Sequence, residues 1–539
     1  MAATTMKNHN IVYQVLDTAI ENNLGSKVAL KCISDDLRTE SFTFSQLNSH
    51  TNKYANLLIK SGVKKGDHVI IFLPRTSDMV FAFLGTLKCG AVACPLFSAF
   101  ADTALTDRLL DSRASTIITN KELFPKIKAV EDSIPSLKKI IIVDSSENPS
   151  DQYLTSQSLA TSSPDFETVS LSKVDPAYML YTSGSTGKPK GVIHKHESID
   201  QQLASSREVF ALSTNDILWC TADPGWITGI AYSLLSPLLN RTLSILYEGK
   251  FDPKLWYTII QDEKVSVLYT APTAIRMLKG DSESSWENYD FSSLRIIGSV
   301  GEPLNPEALV WAEKVFKTRV LDTWFQTELG AITIAMTENI TERIGSMGKP
   351  LKTIQAKIIN EDYDDVPIGQ KGQLALRPSQ TSLMTGIWQN REKYLSYFKK
   401  EWYLTGDEAW QDIDGYFWFS GRKDDIINTS GKRVGPFEIE SELLKFPGIL
   451  EAAVIGKPDD LRGEIIKAFI VLKKDLTPSE EMKGEIKQFM KKHLGGYLYP
   501  REIEFIERLP KTRSGKIMRR LLRSAELGLS KGDTSSIDD

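Results

Sequence analysis

At 539 residues the chain is too long for one hydrophobic core and points to several domains. With 41% hydrophobic and 25% charged residues it is globular, and a net charge of −4 excludes a general electrostatic pull toward nucleic acid or a membrane surface. The polar start of the chain has no apolar signal core, no run approaches the ~20 apolar residues of a membrane span, and Cys32, Cys89, Cys94 and Cys220 show no metal-like spacing, so a reduced cytoplasmic protein is expected.

Residues 44–61 carry apolar side chains at helical spacing (Leu47, Tyr54, Leu57, Leu58). A buried strand at 68–74, a helix at 78–90 and strands at 91–97 and 115–120 follow. This alternation predicts parallel sheet with helices on both faces. The rhythm restarts near residue 171, with strands at 177–182 and 191–196, a helix at 196–210, and strands at 216–222, 265–272 and 294–302. From 345 to 421 short strands alternate with Gly and Asp turns, as in a small β-rich module. From 422 to 539 helices at 437–446 and 479–494 alternate with strands at 452–458, 465–473 and 501–510. The expected fold class is therefore α/β. Two doubly wound α/β subdomains (1–170 and 171–344) and a β-rich subdomain (345–421) make a large N-terminal domain, ahead of a small α+β C-terminal domain (422–539).

The stretch YTSGSTGKPKG, residues 181–191, concentrates chemistry in one loop. A Walker loop needs four residues between its glycines and a hydroxyl after Gly-Lys. Here only two residues separate Gly184 from Gly187-Lys188, and Pro189 follows, so that reading fails. The loop joins two strands. Its glycines let backbone N–H groups converge on an anion, while Thr182, Ser183, Ser185, Thr186, Lys188 and Lys190 add donors. A polar hairpin tip would not need so many hydroxyls and lysines.

Other stretches carry similar density. Gly301-Glu302-Pro303 ends a strand, where ligands sit in open α/β sheets. Residues 321–330 pack Asp322, Gln326, Thr327 and Glu328 beside two aromatics. A carboxylate next to a phosphate loop is a natural magnesium ligand, since magnesium combines carboxylate oxygen with substrate phosphate. Asp407 follows a strand and Thr-Gly, where a carboxylate can accept both hydroxyls of a ribose. Residues 421–436 gather Arg422, Lys423, Asp424, Asp425, Lys432 and Arg433 around glycines, and Lys516 follows Ser-Gly in a basic loop. His194 and His196 are read as surface or gating residues, because no third metal ligand is visible.

Taken in order, YTSGSTGKPKG, GEP, TWFQTELG, YLTGD, GRKDDIINTSGKRV and PKTRSGK resemble the adenylate-forming superfamily over nearly the whole chain. Within it the likeness runs to acetyl-CoA synthetases and to short- and medium-chain acyl-CoA synthetases. The resemblance implies an AMP-forming ligase that uses ATP, Mg2+ and coenzyme A. A carboxylate attacks the α-phosphate to give acyl-adenylate and pyrophosphate, and the thiol then displaces AMP. It implies that Thr182, Ser183, Gly184, Ser185, Thr186, Gly187, Lys188 and Lys190 grip the β and γ phosphates. Glu328 would hold the metal and Thr327 a phosphate oxygen. Gly301, Glu302 and Pro303 would line adenine, with Asp322 and Gln326 beside the nucleotide. Asp407 and Arg422 would hold ribose, and Arg433 would approach phosphate. Lys516 would bridge carboxylate and α-phosphate, and Asp424 would be the pivot of a mobile C-terminal domain. Ser430, Gly431 and Lys491 would meet coenzyme A.

The acyl pocket expected from the resemblance is Trp226, Ile227, Thr228, Val300, Phe325 and Leu329. Acetate enzymes carry Trp where this chain has Phe325, so a pocket somewhat larger than acetate needs is expected, suited to short straight or branched acids. The expected partners are the small-molecule substrates, with no nucleic acid and no stable membrane association. Lys516 is a candidate site of regulatory acylation. An adenylation enzyme that loads a carrier protein and a non-catalytic nucleotide-binding protein are the other readings. Acylation of coenzyme A, and intact Lys516 and Glu328, separate them from the first.

Overall fold

The structure is a computed structural model. It describes residues 8–147, 150–183, 189–281, 286–429, 432–459, 462–473, 476–494, 498–511 and 517–529.

Four sheets organise the described residues. The first has eight strands in the spatial order Gly386–Ile387, Pro189–Lys195, Pro176–Ser183, Val92–Pro95, His68–Phe72, Thr116–Thr119, Lys139–Ile142 and Tyr153–Thr155. The strands from Val92 to Thr155 are parallel. Their short apolar runs, such as the wholly buried His68–Phe72, are what a sheet covered on both faces requires. The second sheet has nine strands, in the order Lys349–Pro350, Ile334–Ala335, Arg319–Trp324, Ile296–Ser299, Val267–Thr270, Ile217–Cys220, Leu243–Tyr247, Val28–Ile33 and Thr39–Thr43. Its central pairs are parallel and its outer pairs antiparallel. The fold is thus α/β, with a large N-terminal region and a small C-terminal α+β unit, as expected.

Strand membership crosses the expected boundary at residue 170. Val28–Ile33 and Thr39–Thr43 belong to the second sheet, whereas Pro176–Ser183 and Pro189–Lys195 complete the first. Gly386–Ile387, from the β-rich segment, also pairs with the first sheet. One core explains the exchange. Helix Phe44–Lys60, started by a Thr43–Gln46 capping box, and helix Ser77–Lys88 lie in a cluster that includes Val69 and Ile71 of the first sheet and Leu30 and Leu246 of the second. Ten of the twelve residues of Ser77–Lys88 are buried, because both sheets cover it.

The third sheet is antiparallel and joins Ala356–Ile359, Gly372–Leu376, Phe398–Lys399, Trp402–Gln411 and Phe417–Arg422. A second shared cluster contains Val192, Tyr269, Leu321, Leu329, Leu376 and Tyr403, one or more from each of the three sheets. The candidate site lies where these sheets converge.

The C-terminal unit packs helices Pro436–Leu443 and Glu480–Leu494 on a sheet led by the long pair Ile449–Asp459 and Gly463–Leu472. Helix Pro436–Leu443 meets the large region through the Asn305 amide, which donates to Ser441 Oγ at 3.2 Å, and through Lys371–Glu438 at 2.9 Å. No helix among the described residues is long and apolar enough to cross a membrane.

Candidate active site

The glycine-rich loop closes an antiparallel hairpin, as its flanks predict. Tyr181 pairs with Gly191, Thr182 with Lys190 and Ser183 with Pro189. Gly184, Ser185, Thr186, Gly187 and Lys188 lie outside the described residues, as does the side chain of Ser183. At the mouth of the hairpin the buried Thr182 hydroxyl has no hydrogen-bond partner among the described residues. A buried hydroxyl left this way is destabilising unless a ligand satisfies it.

Lys190 Nζ donates to Tyr397 Oη at 2.8 Å, and Tyr397 Oη donates to Glu328 Oε1 at 3.1 Å. The sequence reading placed Lys190 and Glu328 together but missed Tyr397. Burial lowers the Lys190 pKa, opposed by Glu328 and assisted by Lys393 and Arg422. Glu328 sits in the turn Thr327–Leu329, whose carbonyl at Glu328 accepts from Met384 N at 2.8 Å. Gly330 ends that turn at φ 73°, and a Cβ there would lie 2.3 Å from the Ser382 carbonyl oxygen, so glycine is required.

Asp407 is not beyond a strand end, as the motif suggested, but inside the strand Trp402–Gln411. Gly406 at φ 72° and an irregular register beside Glu408 bend the strand there. Asp407 Oδ2 accepts from Trp324 Nε1 at 3.0 Å and Gln326 Nε2 at 3.1 Å, and Oδ1 lies 3.1 Å from Arg422 Nε. Tyr403 Oη donates to Gln326 Oε1 at 2.9 Å, and the Tyr403 ring stacks on Tyr397 with centroids 5.8 Å apart. One network therefore runs from the Asp407–Arg422 pair to the Lys190–Glu328 pair.

On the wall that follows strand Ile296–Ser299, Gly301 takes φ 96°, and a Cβ there would meet nothing within 4 Å. Glu302 is held by Thr273 N at 2.8 Å and by Arg276 Nη2 at 2.8 Å. Arg276 Nη1 also donates to Asn305 at 2.9 Å, which ties this wall to the Asn305–Ser441 contact. Asp322 lies in the strand Arg319–Trp324 opposite Ser299, and burial pushes its carboxyl up to about 8, so it is largely protonated at neutral pH.

Phe325 is half-buried and packs against both shared clusters, touching the one that holds Ile227 and the one that holds Val300 and Leu329. Tyr232 stands behind it. Trp226, Ile227 and Thr228 lead into the π-helical segment Gly229–Leu235, and Trp226 stacks at a tilt on Phe97 with centroids 6.1 Å apart. Phe325 thus packs against the clusters that contain Ile227, Val300 and Leu329, and Tyr232 and Phe97 are neighbours that the sequence reading did not name.

His194 and His196 are corrected from surface residues to fully buried ones, at 0% and 1% exposure. They share a face of the hairpin turned into the protein. His194 Nδ1 faces the Ser382 carbonyl oxygen at 3.1 Å, and His196 Nδ1 accepts from Ile11 N at 3.1 Å. Burial drives both pKa values down to about 4, so both are neutral.

In the C-terminal unit, Asp424 lies in the turn Lys423–Asp425 that joins the third sheet to that unit. Lys491, on helix Glu480–Leu494, places its ammonium 4.5 Å from the centre of the Tyr499 ring. Ser430, Gly431, Lys516 and the side chain of Arg433 lie outside the described residues.

The described residues hold no cluster of three or more His, Cys, Asp or Glu that could cage a metal ion by themselves. A single carboxylate at Glu328, linked to Lys190 through Tyr397, would instead suit a magnesium ion that arrives on phosphate oxygens.

Comparison with known proteins identifies the family. Residues 17–388 match the AMP-binding enzyme family, and residues 438–516 match the AMP-binding enzyme C-terminal domain. The chain belongs to the AMP-binding enzyme family. It is 45% identical to the acetyl-coenzyme A synthetase of Bacillus subtilis over 98% of this chain and 93% of that one. It is 39% identical to the acetyl-coenzyme A synthetase of Pasteurella multocida over 96% and 84%. Among solved structures it superposes on an anthranilate CoA ligase in complex with anthranoyl-AMP at TM-score 0.89, with 29% identity over 96% of this chain and 97% of that one. It superposes on an acyl-CoA synthetase of Brucella canis at TM-score 0.73, with 32% identity over 98% and 96%.

Proposed function

We propose that the chain is an AMP-forming acyl-CoA synthetase acting on a short-chain acid, straight or branched, with ATP and coenzyme A as co-substrates. The observation that carries the reading is one connected line of side chains: hydrogen bonds from Lys190 through Tyr397 to Glu328, ring stacking of Tyr397 on Tyr403, hydrogen bonds from Tyr403 through Gln326 to Asp407, and the ion pair of Asp407 with Arg422. It has the polarity of a nucleotide site, with cations and an unsatisfied hydroxyl at one end and a fixed carboxylate–guanidinium pair at the other.

In this reading the residues divide the work. The loop of Thr182 to Lys190 and Thr327 bind the β and γ phosphates. Glu328 would hold magnesium, which when bound would screen phosphate charge. Gly301, Glu302 and Pro303 line adenine with Asp322, and Asp407 and Arg422 orient ribose. A substrate carboxylate oxygen then attacks the α-phosphorus, the bond to pyrophosphate breaks, and Lys516 neutralises charge gathering on the phosphoryl and carboxylate oxygens. In the second step the thiolate of coenzyme A attacks the acyl carbon, AMP leaves, and the thiol proton passes to solvent. The C-terminal unit turns about Asp424 between the steps and brings Ser430, Gly431 and Lys491 toward coenzyme A. A cytoplasmic location and control by acylation of Lys516 complete the proposal.

Acetate is the second reading for the acid, favoured by the names of the relatives. The half-buried Phe325 favours a slightly larger acid, because a Trp at that place would fill more of the pocket. Straight and branched acids of two to eight carbons, followed by pyrophosphate release with and without coenzyme A, decide between them. Highest kcat/KM for propionate, isobutyrate or 2-methylbutyrate supports the first, and highest for acetate the second. Absence of acid-dependent pyrophosphate release removes the synthetase reading altogether.

A further inference from the structure

We propose that Tyr397 is a positioning residue for the triphosphate end of the site: it presents Glu328 to the divalent cation and keeps Lys190 from neutralising that carboxylate before the nucleotide arrives. The inference rests on the assignment of Lys190 and Glu328 given above.

The phenol has one hydrogen and acceptor lone pairs, and both are in use. It accepts from Lys190 Nζ at 2.8 Å and donates to Glu328 Oε1 at 3.1 Å. Lys190 and Glu328 make no direct ion pair among the described residues, although Lys190 is close enough to feel the Glu328 charge. Two opposite charges in a half-buried cleft ordinarily collapse into contact, and that contact has to be broken before either binds substrate. An interposed neutral hydroxyl satisfies both charges without joining them. With Oε1 committed to Tyr397, Oε2 is the oxygen that Glu328 turns to a cation.

Three features lock the hydroxyl in place. The ring stacks on Tyr403 with planes 8° apart, and Tyr403 is fixed by its bond to Gln326. The Tyr397 carbonyl oxygen accepts from Leu404 N at 2.7 Å, at the hairpin that returns the chain into Trp402–Gln411. The Lys393 ammonium lies 5.2 Å from the ring centre. Burial and the neighbouring Glu328 charge push the phenol pKa up, so it remains a neutral donor throughout the working pH range.

The test is Tyr397→Phe, which keeps the ring and its stacking and removes only the hydroxyl. Calorimetry with a non-hydrolysable α,β-methylene analogue of ATP, titrated with and without Mg2+, reads metal-dependent binding without turnover. AMP, which lacks the β and γ phosphates, reports the integrity of the rest of the site. The expected result is a loss of about tenfold or more in affinity for the magnesium complex, with AMP affinity unchanged and KM rising for ATP but not for the acid. Equal loss of AMP and magnesium–analogue binding, or an unchanged magnesium dependence, overturns the inference. Glu328→Gln separates the two levels. If it retains wild-type magnesium dependence, the assignment of Glu328 itself fails. If it loses that dependence while Tyr397→Phe does not, only the role of Tyr397 falls.

Discussion

The rings of Phe325 and Tyr232 meet edge to face, with centroids 5.7 Å apart and planes at 73°. Tyr232 cannot swing away. Its hydroxyl lies 2.7 Å from Ser205 Oγ and accepts from Ile332 N at 2.8 Å. In the proposed acyl pocket Phe325 is therefore backed by a fixed wall.

Phe325→Trp is expected to shift kcat/KM toward acetate, and Phe325→Gly toward longer acids as far as the Tyr232 ring allows. Each methylene of depth should change discrimination by about 1–3 kcal/mol, or roughly tenfold or more. Kinetics on acetate, isobutyrate, 2-methylbutyrate and octanoate measure the shift, while AMP affinity stays constant. An unchanged ranking in both variants would place Phe325 outside the acyl pocket.

Tyr232→Phe should leave the chain-length ranking intact but destabilise the fold. It removes the acceptor for a buried Ile332 N–H, at a cost of about 1–3 kcal/mol. Chemical denaturation reads the loss, and wild-type stability would show that the Tyr232 hydroxyl is not needed.

Asp407→Asn replaces an ionised acceptor by an amide. Trp324 and Gln326 face one carboxylate oxygen and Arg422 the other, so either amide orientation sets N–H against N–H. Adenylate formation should fall by about two orders of magnitude, in line with the loss of about 1.5–3 kcal/mol for a bond to a charged group together with misoriented ribose. Acid-dependent pyrophosphate release in a single turnover is the measurement. Near-normal rates would exclude Asp407 from the nucleotide site.

In the proposed mechanism Lys516 serves only the first half-reaction. Lys516→Ala is expected to abolish adenylate formation while largely sparing thioester formation from supplied acyl-adenylate. Comparable loss of both steps would refute the assignment of Lys516 to the first geometry. Acetylation at that lysine, verified by mass spectrometry, should mimic the alanine variant because it removes the charge.

Buried His196 predicts a pH effect. Its folded pKa, near 4, lies below the usual 6.5, so the unfolded chain binds the extra proton between those values and stability falls as pH drops through that window. The loss from this one residue reaches up to about 3 kcal/mol near pH 4. In His196→Asn, whose amide oxygen can still accept from Ile11 N, the decline between pH 6.5 and 4 should be shallower. Parallel stability curves for the two proteins would mean that His196 does not titrate with unfolding.

The chemistry of the site was legible locally. Glycines and hydroxyls in one hairpin, a carboxylate in Gln-Thr-Glu and another in Thr-Gly-Asp are short-range signals, and unbroken apolar runs announce parallel strands because both faces are buried. By itself, the sequence determined which residue types could bind an anion, a metal and a ribose, and that the fold alternates helix and strand. Which elements neighbour one another was decided only by the tertiary structure. Periodicity records which face of a strand is apolar but not its partner, so nothing local sends Val28–Ile33 to the second sheet and Pro176–Ser183 to the first. His194 and His196 read as surface residues because burial depends on Ser382 and Ile11, both more than 180 positions away. Tyr397 went unnoticed for the same reason. Its partners lie 207 and 69 residues earlier, and only the convergence of the first and third sheets on the Thr327–Leu329 turn brings a cation, a phenol and a carboxylate within hydrogen-bonding distance.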